Sequence, residues 1–220
     1  MVQIAPSMLS ADFLHLEKDV KMVNDYADIF HLDIMDGVFV PNLSYGFPVV
    51  EAIASMADKP LDVHLMIVNP EKYVQRFAQV GAGMISFHLN AAEDPDAVLA
   101  LIRENGAKAG LVINPDIPVE SLFPHLKNCD YILLMSVFAG FGGQKFIEDT
   151  YQRIRTLKAE IVRQGLEIPI EVDGGVSSAN APALVEAGAE ILVAGSAVFK
   201  EKPYSKTINA ILESAQNAAK

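Results

Sequence analysis

The 220-residue chain is long enough for one large or two small domains, and with 51% apolar and 20% charged residues it is neither disordered nor fibrous. Its 17 basic and 28 acidic residues leave a formal charge of −11, with a sequence pI near 4.8, which argues against nucleic-acid binding through phosphate contacts. The mean hydropathy is +0.25, yet no apolar run reaches the ~18 residues of a membrane span, the start of the chain has no charged leader and hydrophobic run, and the one cysteine, Cys129, excludes an internal disulfide and a multi-cysteine metal site.

Read in chain order, short β-branched runs alternate with amphipathic stretches. The predicted strands are Gln3–Pro6, Ile29–Met35, Leu61–Ile67, Met84–Leu89, Ala109–Asn114, Tyr131–Val137, Ile168–Asp173 and Ile191–Gly195. Between them, apolar residues recur at helical steps: Phe13, Leu16, Val20 and Val23; Tyr73, Phe77 and Val80; Ile154, Leu157 and Ile161; Tyr204, Ile208 and Ile211. Asn69-Pro70 and Asp94-Pro95 each place a capping side chain before a proline suited to a first helical turn. Eight β-then-α units of about 27 residues each fit a (β/α)8 TIM barrel. An open doubly wound sheet fits less well, because Ser7-Met8-Leu9-Ser10 follows the first strand without a glycine fingerprint. With no linker or low-complexity segment, residues 1–220 read as one domain, soluble and cytoplasmic.

In such a barrel, chemistry sits at the C-terminal strand ends. Strand one ends in Ser7. Strand two carries His31, Asp33 and Met35 at alternate positions, and strand three carries Asp62, His64 and Met66. Side chains two apart share a strand face. Strand six offers Met135, and strand seven ends in Asp173. His31, Asp33, His64 and Asp173 thus form a four-ligand set suited to Zn²⁺ or another divalent ion. Each alone reads equally well as a hydrogen-bonded strand-end residue, but unpaired polar groups on an apolar face are costly. His88 reads as pocket-lining or structural, Asp36 and Asp62 as turn or supporting groups, His15 and His125 as surface or packing residues, and Cys129 as a buried thiol. Gly140-Phe141-Gly142-Gly143, Gly174-Gly175 and Gly195-Ser196 follow strands six, seven and eight. Loops there commonly bind phosphate, and backbone N–H groups can hold it without Lys or Arg.

The motifs Ala5-Pro6-Ser7-Met8-Leu9-Ser10-Ala11-Asp12-Phe13, His31-Leu32-Asp33-Ile34-Met35-Asp36-Gly37, Asp62-Val63-His64-Leu65-Met66, Gly140-Phe141-Gly142-Gly143-Gln144-Lys145-Phe146, Val172-Asp173-Gly174-Gly175-Val176 and Ala194-Gly195-Ser196 run in order over nearly the whole chain. Together they resemble the ribulose-phosphate 3-epimerase family. The resemblance implies a TIM barrel, a homo-oligomer with no nucleic-acid or membrane partner, and interconversion of D-ribulose 5-phosphate and D-xylulose 5-phosphate in pentose phosphate metabolism. It implies one divalent ion, Zn²⁺ foremost with Fe²⁺, Mn²⁺ or Co²⁺ also compatible, on His31, Asp33, His64 and Asp173. It makes Asp33 and Asp173 the acid/base pair. Ser7, His64, Asp173, Gly140, Phe141, Gly142, Gly143, Gly174, Gly175, Gly195 and Ser196 become substrate or phosphate contacts, and Met35, Met66 and Met135 line the pocket. Val38, Asn90, Asp116 and Phe138-Ala139 depart from the common pattern without removing a ligand, and a 3-epimerase of a six-carbon ketose phosphate such as D-allulose 6-phosphate is the alternative.

Two carboxylates on strands two and seven would face a planar enediolate from opposite sides. A Schiff-base aldolase would need a lysine inside the barrel, whereas Lys59 and Lys108 precede strands and Lys145 lies in a loop. A metal-dependent hydrolase would leave the glycine loops unexplained, and a sugar-phosphate binding protein would not need the proton-transfer pair.

Overall fold

The computed structural model describes residues 2–200 and 202–218. Among them the strands are β1 Gln3–Pro6, β2 Phe30–Met35, β3 Leu61–Met66, β4 Ala82–His88, β5 Lys108–Ile113, β6 Tyr131–Met135, β7 Ile170–Asp173 and β8 Ile191–Ala194. All pair in parallel, in the order β1-β8-β7-β6-β5-β4-β3-β2. The two ends of this order meet. Ser7 bridges to His31, and the Asp28 carboxylate accepts the Ile4 N–H at 2.9 Å. The sheet is therefore a nearly closed barrel. Its helices are α1 Leu16–Tyr26, α2 Phe47–Ala54, α3 Glu71–Val80, α4 Pro95–Glu104, α5 Thr150–Arg163, α6 Ala181–Ala187, α7 Ser196–Phe199 and α8 Tyr204–Ala218.

Strand parity divides the molecule into two cores. Phe30, Leu32 and Ile34 of β2, Val63 and Leu65 of β3, and Ile132 and Leu134 of β6 point outward. They pack under Val20, Val23, Ile53, Val74, Phe77, Ile102, Ile154 and Leu157 of the helices. Each such side chain contributes about 1.5–3 kcal/mol on burial. Both faces of every strand are covered, so the strands read as almost unbroken apolar runs. The inward parity carries the polar exceptions: His31, Asp33, Asp62, His64, Ser86, His88 and Glu171 are all buried. A separate apolar floor of Ala5, Ile29, Met84, Ile191 and Val193 lies inside the barrel.

Three local expectations differ from the structure. No α-helix is described between β5 and β6; two 3-10 turns, Val119–Leu122 and Leu126–Asn128, take its place. Pro115, Pro118 and Pro124 punctuate that segment, and proline removes a helical donor and clashes with the preceding turn. Asn69 does not cap α3. It adopts φ 50, and Pro70 is the cap residue, as expected where proline disfavours the right-handed region for its predecessor. Asp94 does cap, accepting the Ala97 N–H at 3.1 Å ahead of Pro95. Phe13 sits in a 3-10 turn before α1 and packs against Tyr45 at the surface, 5.6 Å between ring centroids. No described helix is long and apolar enough to cross a membrane.

Candidate active site and metal centre

A cavity opens at the C-terminal strand ends. It is lined by Ser7 after β1, Asp33 and Met35 of β2, Met66 of β3, Met135 of β6, Asp173-Gly174-Gly175 at β7, Gly195-Ser196 after β8, and the loop Gly140-Phe141-Gly142-Gly143. Ser10 and Gln144 line it as well, and neither was singled out from the sequence. No lysine or arginine is among its described lining residues. His31 and His64 are completely buried behind the carboxylates rather than on the wall.

The four candidate ligands converge. One nitrogen or oxygen from each of His31, Asp33, His64 and Asp173 lies within 4.8 Å of all the others. His31 Nδ1 donates to Asp62 Oδ2 at 2.5 Å, leaving His31 Nε2 buried without a hydrogen-bond partner, 3.4 Å from Asp33 Oδ1. His64 Nδ1 is 3.2 Å from the same oxygen. Asp33 Oδ2 accepts from Ser7 Oγ at 2.6 Å. A buried orphan imidazole nitrogen aimed at three further N/O donors is what a divalent cation requires, and this buried His/Asp cluster could hold one. β2 and β7 stand three strands apart around the ring, so the two carboxylates do not come from diametrically opposite strands. Their carboxylates meet because both project inward from the same end.

The environments of the two carboxylates diverge. Burial raises the Asp173 carboxyl, the Asp33 charge adds to this, and it is pushed up to about 6. Burial acts the same way on Asp33, but the His31 and His64 imidazoles outweigh it and hold it well below the carboxylate range. Burial opposes a charge on His31, yet the Asp33 and Asp62 carboxylates raise it well above an ordinary imidazole. Carboxylates pushed apart in this way are candidates for an acid/base pair. His88, buried against His64, is held neutral. Its Nε2 lies 3.0 Å from His64 Nε2 and the rings stack 5.1 Å apart, which fixes His64 in its plane.

The strand ends are clamped. Ser44 Oγ donates to the Asp33 carbonyl at 2.6 Å and accepts the Met35 N–H at 2.9 Å. The Ser136 hydroxyl reaches the carbonyls of Asp173 (2.8 Å) and Gly174 (2.6 Å). Gln144 Nε2 donates to the Phe138 and Phe141 carbonyls at 2.6 and 2.8 Å, and Asn42 Nδ2 donates to that of Gly140 at 2.7 Å. These bonds shape the loop after β6. Gly174 has φ 122, and a Cβ there would lie 2.5 Å from Val137, so only glycine brings this backbone so close to the loop. Asp36 accepts the N–H groups of Val38, Phe39 and Val68, a turn role. His15 and His125 pair with Asp12 and Asp96 away from the cavity. Cys129 is buried ahead of β6, with its thiol pushed up to about 12, chiefly by burial.

Two site-supporting residues escaped the sequence reading. Glu171 lies two residues before Asp173 on the same inward parity, so the alternation that picked out His31 with Asp33 also marks it. Tyr131 reaches Asp62 across the barrel, a contact that no local pattern announces.

A sequence profile described as the ribulose-phosphate 3 epimerase family matches residues 3–199. The ribulose-phosphate 3-epimerase of Synechocystis sp. is 48% identical over 216 residues, covering 97% of this chain and 94% of that protein. That of Bacillus subtilis is 45% identical over 213 residues, covering 96% and 98%. Among solved structures, KGPDC from Streptococcus mutans superimposes with a TM-score of 0.75 over 99% of this chain and 99% of that one, at 12% identity, a likeness of fold alone. The chain belongs to the ribulose-phosphate 3-epimerase family, and it is an isomerase.

Proposed function

We propose that this single-domain barrel inverts C3 of D-ribulose 5-phosphate and D-xylulose 5-phosphate, using Asp33 and Asp173 as a two-base pair around a divalent ion held by His31, Asp33, His64 and Asp173. The observation that carries this reading is the convergence of two unlike carboxylates and two buried imidazoles at one cavity floor. Zn²⁺ is the foremost candidate, and Fe²⁺, Mn²⁺ or Co²⁺ suit the same N/O donors. The ion, when bound, supplies Lewis acidity that makes the C3 hydrogen beside the C2 ketone acidic.

The remaining steps belong to the chain. One aspartate takes the C3 proton, the electron pair delocalises into a planar enediolate, and the other aspartate returns a proton from the opposite face. The reverse direction exchanges their roles, so no proton is gained or lost overall. Ser7 Oγ donates to Asp33 and fixes its carboxylate plane. Met35, Met66 and Met135 cover the cavity without acidic protons and limit stray protonation by water. The phosphate rests on backbone N–H groups of the glycine loops after β6, β7 and β8, among them those of Gly175 and Ser196. A bound-substrate crystal structure would show those contacts, and a phosphate gripped chiefly by lysine or arginine would overturn them.

Steady-state kinetics on D-ribulose 5-phosphate and D-allulose 6-phosphate, with metal content measured on the same sample, tests the substrate. One extra carbon unit is worth about 10–200-fold in a fitted pocket, so kcat/KM should favour the five-carbon sugar by that order. Equal or faster turnover of the six-carbon sugar would make that the substrate instead.

A further inference from the structure

We propose that Asp62 is a positioning residue for His31, that the Tyr131 hydroxyl holds Asp62 in place, and that Gly110 admits the tyrosine. This inference rests on the reading of His31 as a metal donor.

Asp62 and Tyr131 are buried inside the barrel behind His31, on its Nδ1 side. Asp62 sits on β3 directly opposite His31 in the parallel register. Both its oxygens are used: Oδ2 accepts from His31 Nδ1 at 2.5 Å, and Oδ1 accepts from the Tyr131 hydroxyl at 2.8 Å. His31, Asp62 and Tyr131 are wholly buried. A carboxylate held at both oxygens can neither rotate nor drift. It pins a proton on His31 Nδ1 and so makes Nε2 the nitrogen that can donate to an ion at the cluster above.

The clamp also decides between competitors. Glu171 Oε1 lies 3.4 Å from the same His31 Nδ1, and both Glu171 oxygens are buried without a hydrogen-bond partner. Two acidic side chains thus face one N–H. The tyrosine hydroxyl anchors Asp62 at 2.8 Å, an ordinary O–H···O distance, and the imidazole turns to it. Tyr131 reaches this point from β6 by crossing over β5. A Cβ on Gly110 would run into Tyr131 Cζ and lie 2.7 Å from both Cε atoms. Gly110 and Tyr131 are opposite one another in the register, so the glycine is the gap through which the ring passes. An apolar floor would need neither the hydroxyl nor the missing side chain.

The test measures divalent-ion affinity directly, by titrating Zn²⁺ against a competing chelator, in wild type, Asp62→Asn and Tyr131→Phe, with thermal midpoints recorded in parallel. Asp62→Asn should bind Zn²⁺ about 10–100-fold more weakly, the range for an outer partner of a ligating histidine. Tyr131→Phe keeps the ring and the packing, and should weaken binding severalfold in the same direction. Raising free Zn²⁺ should restore part of its turnover, which a packing defect would not allow. Wild-type Zn²⁺ affinity in a folded Tyr131→Phe and a folded Asp62→Asn would overturn the positioning role while leaving the metal reading intact. A wild-type protein with no measurable affinity for Zn²⁺, Fe²⁺, Mn²⁺ or Co²⁺ would overturn both.

Discussion

Stripping divalent ions with a chelator is expected to abolish epimerisation while leaving the barrel folded. The catalytic part follows from the charge that develops when the C3 proton leaves. No lysine or arginine is described in the cavity wall, and the groups nearest the reacting centre include two carboxylates, which repel an enediolate. A cation offsets that repulsion and is worth several kcal/mol of transition-state stabilisation. At 1.36 kcal/mol per decade, the loss is on the order of 10³-fold or more. The folding part follows from where the stability lies. The core between strands and helices is apolar and independent of the site. The polar cluster keeps internal partners without an ion, including Ser7 to Asp33 and His31 to Asp62. Circular dichroism of the metal-free protein should therefore match the native one. His64→Ala removes a donor outright and should copurify with far less metal. Full metal content and full activity in that variant would defeat the assignment, as would full activity in protein shown by elemental analysis to be metal-free.

Much of this site could be read from strand parity. His31, Asp33 and Met35, then Asp62, His64 and Met66, recur at every second residue in runs otherwise apolar, and a period of two puts each set on one face. The fold adds only that this face looks inward. The same alternation reaches Glu171, but a single acidic residue in a short strand carries little weight without its neighbours. Tyr131 is a harder case. Its value depends on Asp62, 69 residues away, and on a glycine one strand over, and no window along the chain spans those three positions. The connection from β5 to β6 illustrates a different failure. An expectation of one helix per strand came from the overall rhythm, and the local prolines overrode it. Asn69 is a third kind, because Asn before Pro can be a cap or a left-handed turn residue, and the backbone geometry decides. The cavity's glycines were legible as clusters. Only the structure shows that Gly174 is required by the 2.5 Å approach to Val137.

Replacing either Asp33 or Asp173 by asparagine is expected to lower turnover by at least about 10²–10⁴-fold, the usual contribution of a general acid or base. Asparagine keeps the shape of the side chain and an oxygen able to face a cation, but it cannot accept a proton and return it. A rate loss alone does not isolate that role, since both residues also belong to the cluster proposed to hold the ion. Metal content must therefore be measured on each variant, and the informative readout is exchange of the C3 hydrogen with deuterated water. In wild type both epimers should exchange, because each face has its own base. In Asp173→Asn with metal retained, only the epimer whose C3 hydrogen points to Asp33 should wash out, and the product should not form. Asp33→Asn should show the mirror pattern, with wash-out confined to the other epimer. The two carboxylates differ in environment, one pushed up to about 6 by burial and its neighbour's charge, the other held low by two imidazoles. The two single variants should therefore differ in size of effect as well as in which epimer exchanges. Wild-type epimerisation by metal-loaded Asp173→Asn, or wash-out from both epimers in either variant, would mean that one base serves both faces.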